Sequence, residues 1–131
     1  MSTRSRIGII YDTHTESVYC HNDGYPEYNG QLLRALHNDE SSARALVACG
    51  DLSCLHRDGG VRSYHNWRNA EIRIERHERP EDAHREEYVY LWDARSDSET
   101  RGMWLTTGHY RFDGWRALSD VLEGLRDFAG E

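Results

Sequence analysis

The chain has 131 residues, 37% of them hydrophobic and 30% charged, enough for one domain that buries about two-thirds of its unfolded surface. No apolar run approaches the roughly 18 residues that span a bilayer, and the opening MSTRSRIGII lacks the apolar core of a secretory signal. All 16 basic residues are arginine and the formal charge is −7, which excludes Schiff-base and P-loop lysine chemistry and argues against duplex DNA, whose binding needs many neutralised phosphates. These features point to a cytoplasmic protein, off the membrane, with its three cysteines reduced.

In chain order, residues 6–11 alternate Ile7, Ile9 and Tyr11 against Gly8 and Ile10. After the link DTHTE, Val18 and Cys20 alternate with Tyr19, which predicts a β-hairpin. The loop HNDGY leads to Pro26, suited to the first turn of a helix running to about His37, with Leu32, Leu33 and Leu36 as its apolar stripe. A second helix is predicted over 41–49, capped by Asp39 or Ser41 and stopped by Gly50. Residues 56–69 read as a loop, 70–76 (AEIRIER) as a half-exposed strand, and RHERPEDAHREE as a charged connection around Pro80. EYVYLWD and GMWLTT form a second hairpin, with Tyr88, Tyr90 and Trp92 on one face and Val89 and Leu91 on the other. Trp115, Leu118, Val121, Leu122, Leu125 and Phe128 recur at helical spacing behind Asp113, a candidate N-cap. The expected fold is a single α+β domain over residues 1–131 in the order ββααβββα. Its sheet is expected to be mostly antiparallel, of about five strands, with helices packed on one face.

Four segments carry a likeness. MSTRSRIGI at 1–9, YCHNDGYPEYNGQLL at 19–33, ACGDLSCL at 48–55 and EYVYLWD at 87–93 follow one another in that order. Together the chain resembles a family of small uncharacterised proteins of tailed phages and prophages. Its members share a T-R-S-x-I-G start, a C-H-x-D-G-Y-P loop, a G-D-(I/L)-S-x-L turn and a Y-V-Y-L strand. Residues 56–86 match least well. The resemblance implies an accessory phage protein acting in the host cytoplasm and carries over no catalytic residue. Phage proteins of this size often inhibit host antiviral defence, by blocking a host protein or by sequestering a nucleotide signal; that link is one of association.

Two regions hold candidate site residues. In the loop, Asn22 and Asp23 offer acceptors, His21 a donor and Tyr25 a phenol. The competing reading is an Asx-turn at Asp23 with the neighbours bonded to backbone. Further on, Arg57, Arg62 and Arg68 interleave with Tyr64, His65 and Trp67, followed by Arg73, Arg76 and Arg79. Arginine grips phosphate while Tyr or Trp stacks on a base; against this, Trp67 packs the sheet and the arginines pair with Glu71, Glu75 and Glu78. The expected ligand-binding set is His21, Asn22, Asp23, Tyr25, Arg57, Tyr64, Trp67, Arg76 and Arg79. Its partner is a host defence protein or a phosphate-bearing small molecule, and the four tryptophans leave room for self-association.

Cys20, Cys49 and Cys54 with His21 or His56 have the reach of a Cys₃His zinc site, but no CxxC knuckle is present. They read as core thiols, and no metal or cofactor is expected. The alternative to a binding protein is a metal-dependent hydrolase or phosphoesterase acting on a nucleotide. It would use His21, Asp23 and the cluster His77, Glu78, Glu81, Asp82 and His84. No nucleophile elbow or H-E-x-x-H motif supports it, so binding without catalysis is the expectation.

Overall fold

A computed structural model describes residues 3–108 and 114–129. The elements run β1 (Ser5–Ile10), β2 (Thr15–Cys20), a π-helical turn (Pro26–Gly30), α1 (Gln31–Leu36) and α2 (Glu40–Ala48). There follow β3 (Leu52–Leu55), β4 (Val61–Ser63), α3 (Tyr64–Arg68), β5 (Glu75–His77) and a 3₁₀ turn (Pro80–Ala83). The chain closes with β6 (Tyr88–Asp93), β7 (Trp104–Gly108), β8 (Arg116–Ala117) and α4 (Leu118–Ala129).

The protein is α+β, but the expected sheet of about five mostly antiparallel strands is overturned. Among the described residues one mixed sheet holds eight strands in the order β4-β3-β2-β1-β6-β7-β8, with β5 also paired to β2. β1 runs parallel to β6 and β2 parallel to β3, while the remaining pairs are antiparallel. Both hairpins read from alternation are present, in the registers Ile7↔Val18 and Leu91↔Leu105. The parallel pairs escaped the sequence because they join strands separated by long crossovers, which leave no local turn signal.

All six positions of β1 and all six of β6 are buried, as befits a parallel pair covered on both faces. On the first face Ile7, Ile9, Val18, Tyr90 and Trp92 pack beneath Leu33 of α1, Leu46 and Val47 of α2, and Leu118 and Leu122 of α4. Trp92 and Trp104 meet edge-to-face at 5.6 Å and 78°, a geometry worth about 0.5–1.5 kcal/mol beyond burial. On the second face Ile10, Val89, Leu91 and Leu105 lie against Ala83 and Trp115. Helices on one face therefore do not describe the whole cover: the 3₁₀ turn at Pro80 helps close the other side.

The expected helix from Pro26 to His37 is instead a π turn leading into a short α1. The Gln31 amide reaches back to the Pro26 carbonyl, the five-residue span of a π bulge. α2 follows its expected signals: the Asp39 carboxylate accepts from the Ser42 amide at 2.7 Å, and Gly50 ends it with φ 74. Residues 56–69, read as loop, contain β4 and α3, and β3 precedes them. The strand expected over 70–76 forms only at Glu75–His77; Ile72 and Ile74 stay 45% and 42% exposed. The final helix begins at Leu118, and Leu118, Val121 and Leu122 are buried. Asp113 and the Phe128 side chain lie outside the described residues.

Asp93, fully buried at the end of β6, anchors the loop to β7. Burial pushes its carboxyl up, but bonds from Arg95, Ser98 and Thr100 outweigh this and hold it well below the ordinary carboxylate range. It is thereby committed to shaping residues 94–103.

Candidate functional site

The structure turns the loop 21–25 inward. His21 and Asn22 donate their amides to Leu52 and Ser53 of β3 at 3.0 and 2.9 Å, extending the parallel β2/β3 pairing. The Asn22 side chain donates to the same Ser53 carbonyl at 2.9 Å, and His21 Nδ1 meets the Tyr19 hydroxyl at 2.7 Å. Asp23 takes φ 57, a left-handed conformation that Asp tolerates better than most residues. Its carbonyl accepts from the buried Asn29, and its carboxylate accepts from Tyr25 at 3.4 Å. Desolvation and that carboxylate hold the Tyr25 phenol above its ordinary range, so it remains a donor.

Gly24 serves close approach. Its φ is not left-handed; a Cβ here would lie 2.8 Å from Ser5 Cβ and 2.9 Å from the Arg4 carbonyl carbon. The Gly24 amide donates to Thr3, and its carbonyl accepts from the buried Tyr90 hydroxyl at 2.6 Å. Asn29 sits beneath, its amide group donating to Ser5 Oγ, Cys20 Sγ and the Asn22 carbonyl at 3.3–3.5 Å. Burial pushes the Cys20 thiol up to about 12, which keeps it neutral. Cys49 Sγ donates to the Ala45 carbonyl at 3.3 Å. Among the described residues no three His, Cys, Asp or Glu side chains converge to hold a metal ion.

The 56–74 region is built the opposite way. β4 forms the sheet edge, and α3 begins directly after it, with the Ser63 hydroxyl accepting from the Asn66 amide at 3.0 Å. α3 ends after one short turn because Asn69 takes φ 55. That turn presents Trp67 at 42% exposure, with the Arg62 and Arg68 guanidiniums 3.5 and 3.9 Å from its ring centroid. Tyr64 lies 6.1 Å from Trp67, and Arg57 sits 5.6 Å over Tyr28, whose hydroxyl donates to Leu55. Exposed Ile72 and Ile74 follow. Asp51, Tyr64, Arg68, Ala70, Glu71 and Arg73 line a cleft of about 290 Å³ here.

The remaining expected residues lie elsewhere. Arg76 and His77 are on β5, paired with Glu16 and Thr15 of β2. Arg79 is bound up with Asp82, its amide and guanidinium each 3.3 Å from that carboxylate. His21 stands six positions beyond Thr15, on the order of 20 Å at about 3.3 Å per residue. The His21–Asp23 loop and the 77–84 cluster thus do not meet in one centre. Of the nine expected ligand residues, the structure brings together those of the 21–25 loop and, separately, Tyr64 with Trp67, while Arg57 stands over Tyr28, Arg76 on β5 and Arg79 against Asp82.

One network was not foreseen. The buried Arg6 donates through Nε to Ser17 Oγ at 2.8 Å, and Ser17 Oγ meets His77 Nε2 at 2.8 Å. Glu75 lies 3.7 Å from Arg6 and also pairs with Arg85. Burial, aided by the Arg6 charge, lowers the His77 pKa from its ordinary 6.5, so the ring is neutral at pH 7. The sequence held only a weak signal for it, one polar residue on each of two paired strands, Arg6 on β1 and Ser17 on β2.

Compared with known protein families, curated proteins and solved structures, the chain matches none.

Proposed function

We propose that the protein acts by binding, and that its working surface is the β4–α3 edge with the exposed segment 69–74, presented to an acidic patch on another protein. The carrying observation is that Arg57, Arg62, Arg68 and Arg73 make no ion pair among the described residues. Arg62 and Arg68 lie over the exposed Trp67, and Arg73 stands between the exposed Ile72 and Ile74 along the chain, on a protein of net charge −7. Trp and Arg together are the composition of interface hot spots. Guanidiniums already laid over an indole are ordered before a partner carboxylate arrives. A small phosphate ligand fits the nearby cleft less well, because Asp51 and Glu71 line it beside Arg68 and Arg73.

The phage-family resemblance supplies the rest of the proposal: an accessory protein that inhibits antiviral defence in the host cytoplasm by blocking a host protein. The test is phage plating on bacteria that carry individual defence systems and express the wild-type protein or the Arg62→Glu/Trp67→Ala double variant. Wild type should restore plating against at least one system, and the double variant should lose that effect while keeping its circular dichroism spectrum and thermal midpoint. Full rescue by the folded variant would overturn the surface assignment. Rescue of none of the systems by wild type would overturn the anti-defence reading.

A further inference from the structure

We infer that Arg62, Trp67 and Arg68 form one recognition unit, built for two carboxylates on alternate residues of an extended acidic segment of the partner. The inference rests on the acidic-partner reading proposed above and names the spacing of the groups that this surface grips.

Two distances define the unit. The guanidinium carbons of Arg62 and Arg68 lie 3.5 and 3.9 Å from the centroid of the Trp67 ring. That is van der Waals contact with the ring carbons, and in the ring plane the indole's own rim forbids so close an approach. Each carbon therefore lies over a face. Two planar guanidiniums cannot share one face this near its centre without overlapping, so they stand on opposite faces, one carried by β4 and the other by α3. The indole is held between them, and what it leaves exposed is its edge. The two distances, end to end across the ring, put the guanidinium carbons about 7 Å apart.

This arrangement sorts ligands. Single-stranded nucleic acid is bound by stacking bases on aromatic faces, and neither face of Trp67 is bare. What remains open is the N–H groups. Neither guanidinium makes an ion pair or hydrogen bond among the described residues, although Asp51 and Glu71 line the cleft beside Arg68. Lying flat on the ring, each guanidinium turns its fork outward in its own plane, where a carboxylate can meet it bidentately. In an extended chain residues i and i+2 share one face, about 6.6–6.8 Å apart, which matches the separation of the two forks. Adjacent residues point to opposite faces and cannot serve both. Residues i and i+4 of a helix, about 5–6 Å apart, fall short.

The full-length protein is titrated with blocked threonine pentapeptides carrying two glutamates at alternate positions, two at adjacent positions, or one, and with a six-nucleotide oligothymidylate. Binding is read from backbone amide shifts and the Trp67 indole N–H resonance. The alternate peptide should bind about fivefold tighter than either other peptide, and tighter than the oligothymidylate. Arg62→Gln and Arg68→Gln should each remove that preference. So should Trp67→Leu, which keeps both cations and removes only what spaces them. All three variants should keep the wild-type thermal midpoint, and Arg44→Gln, on α2 and paired with Glu40, should change nothing. Equal affinity for alternate and adjacent glutamates would overturn the spacing while leaving the acidic-partner reading intact. Retention of the preference in Trp67→Leu would overturn the role of the indole. Tighter binding of the oligothymidylate would overturn the choice of a protein partner, and no binding of any acidic peptide would overturn both the spacing and the reading beneath it.

Discussion

The junction at 21–30 and the edge at 56–74 look alike as sequence: each is a short run of polar and aromatic residues punctuated by glycine. In the fold they are opposites. The junction turns its groups onto itself and its neighbours, so that Asn22 holds Ser53, Tyr25 holds Asp23, Tyr90 holds Gly24, and Asn29 ties three segments together. The edge leaves Arg62 and Arg68 over an exposed indole with no carboxylate partner among the described residues. A cluster whose hydrogen bonds close internally stabilises the chain, whereas one whose cations and apolar faces stay unmatched has interaction energy left for something else.

Substitutions can break this contrast. The largest effect is expected at Gly24→Ala, where the new methyl meets the Arg4 backbone and the Ser5 side chain and should cost about 1–3 kcal/mol, read as a lower midpoint in chemical denaturation. Tyr90→Phe removes the buried bond to the same residue and should cost about 1–1.5 kcal/mol. Asp23→Ala keeps a Cβ in the left-handed conformation at φ 57 without the local hydrogen bonds that ease it for Asp and should cost about 1 kcal/mol, while Asp23→Gly, with no Cβ to clash, should cost less. Equal losses for the Ala and Gly variants would mean that the Asp23 side chain, not its backbone, holds the junction. The smallest effects belong to the edge. Trp67→Ala and Ile72→Ser should each stay within about 0.5 kcal/mol of wild type, and a larger loss would show that the edge is structural after all.

The parts of the fold legible from sequence share one property: their signal is local. The hairpins β1–β2 and β6–β7, the Asp39 cap of α2 and the apolar stripe of α4 are set by neighbours within a few residues. β4 and β5, at three residues each, hold too little alternation to announce themselves. They are strands because β3 and β2 lie beside them. The candidate site divides in the same way. The arginine–aromatic run at 57–68 was visible as composition, but not that it would stay unpaired, since Glu71, Glu75 and Glu78 were equally available on paper. The loop at 21–25 was visible as a shaped turn, but not that Tyr90, Ser53 and Asn29 would meet its groups.

Local signals were enough for the two hairpins, the α2 cap, the α4 stripe and the lysine-free chemistry open to the chain. The mixed sheet, the Arg6–Ser17–His77 network and the satisfaction of the polar clusters came from the fold. The physical reason is that periodicity and capping are written within a few residues, whereas strand pairing across crossovers and the partner of each polar group are settled by residues far apart in the chain.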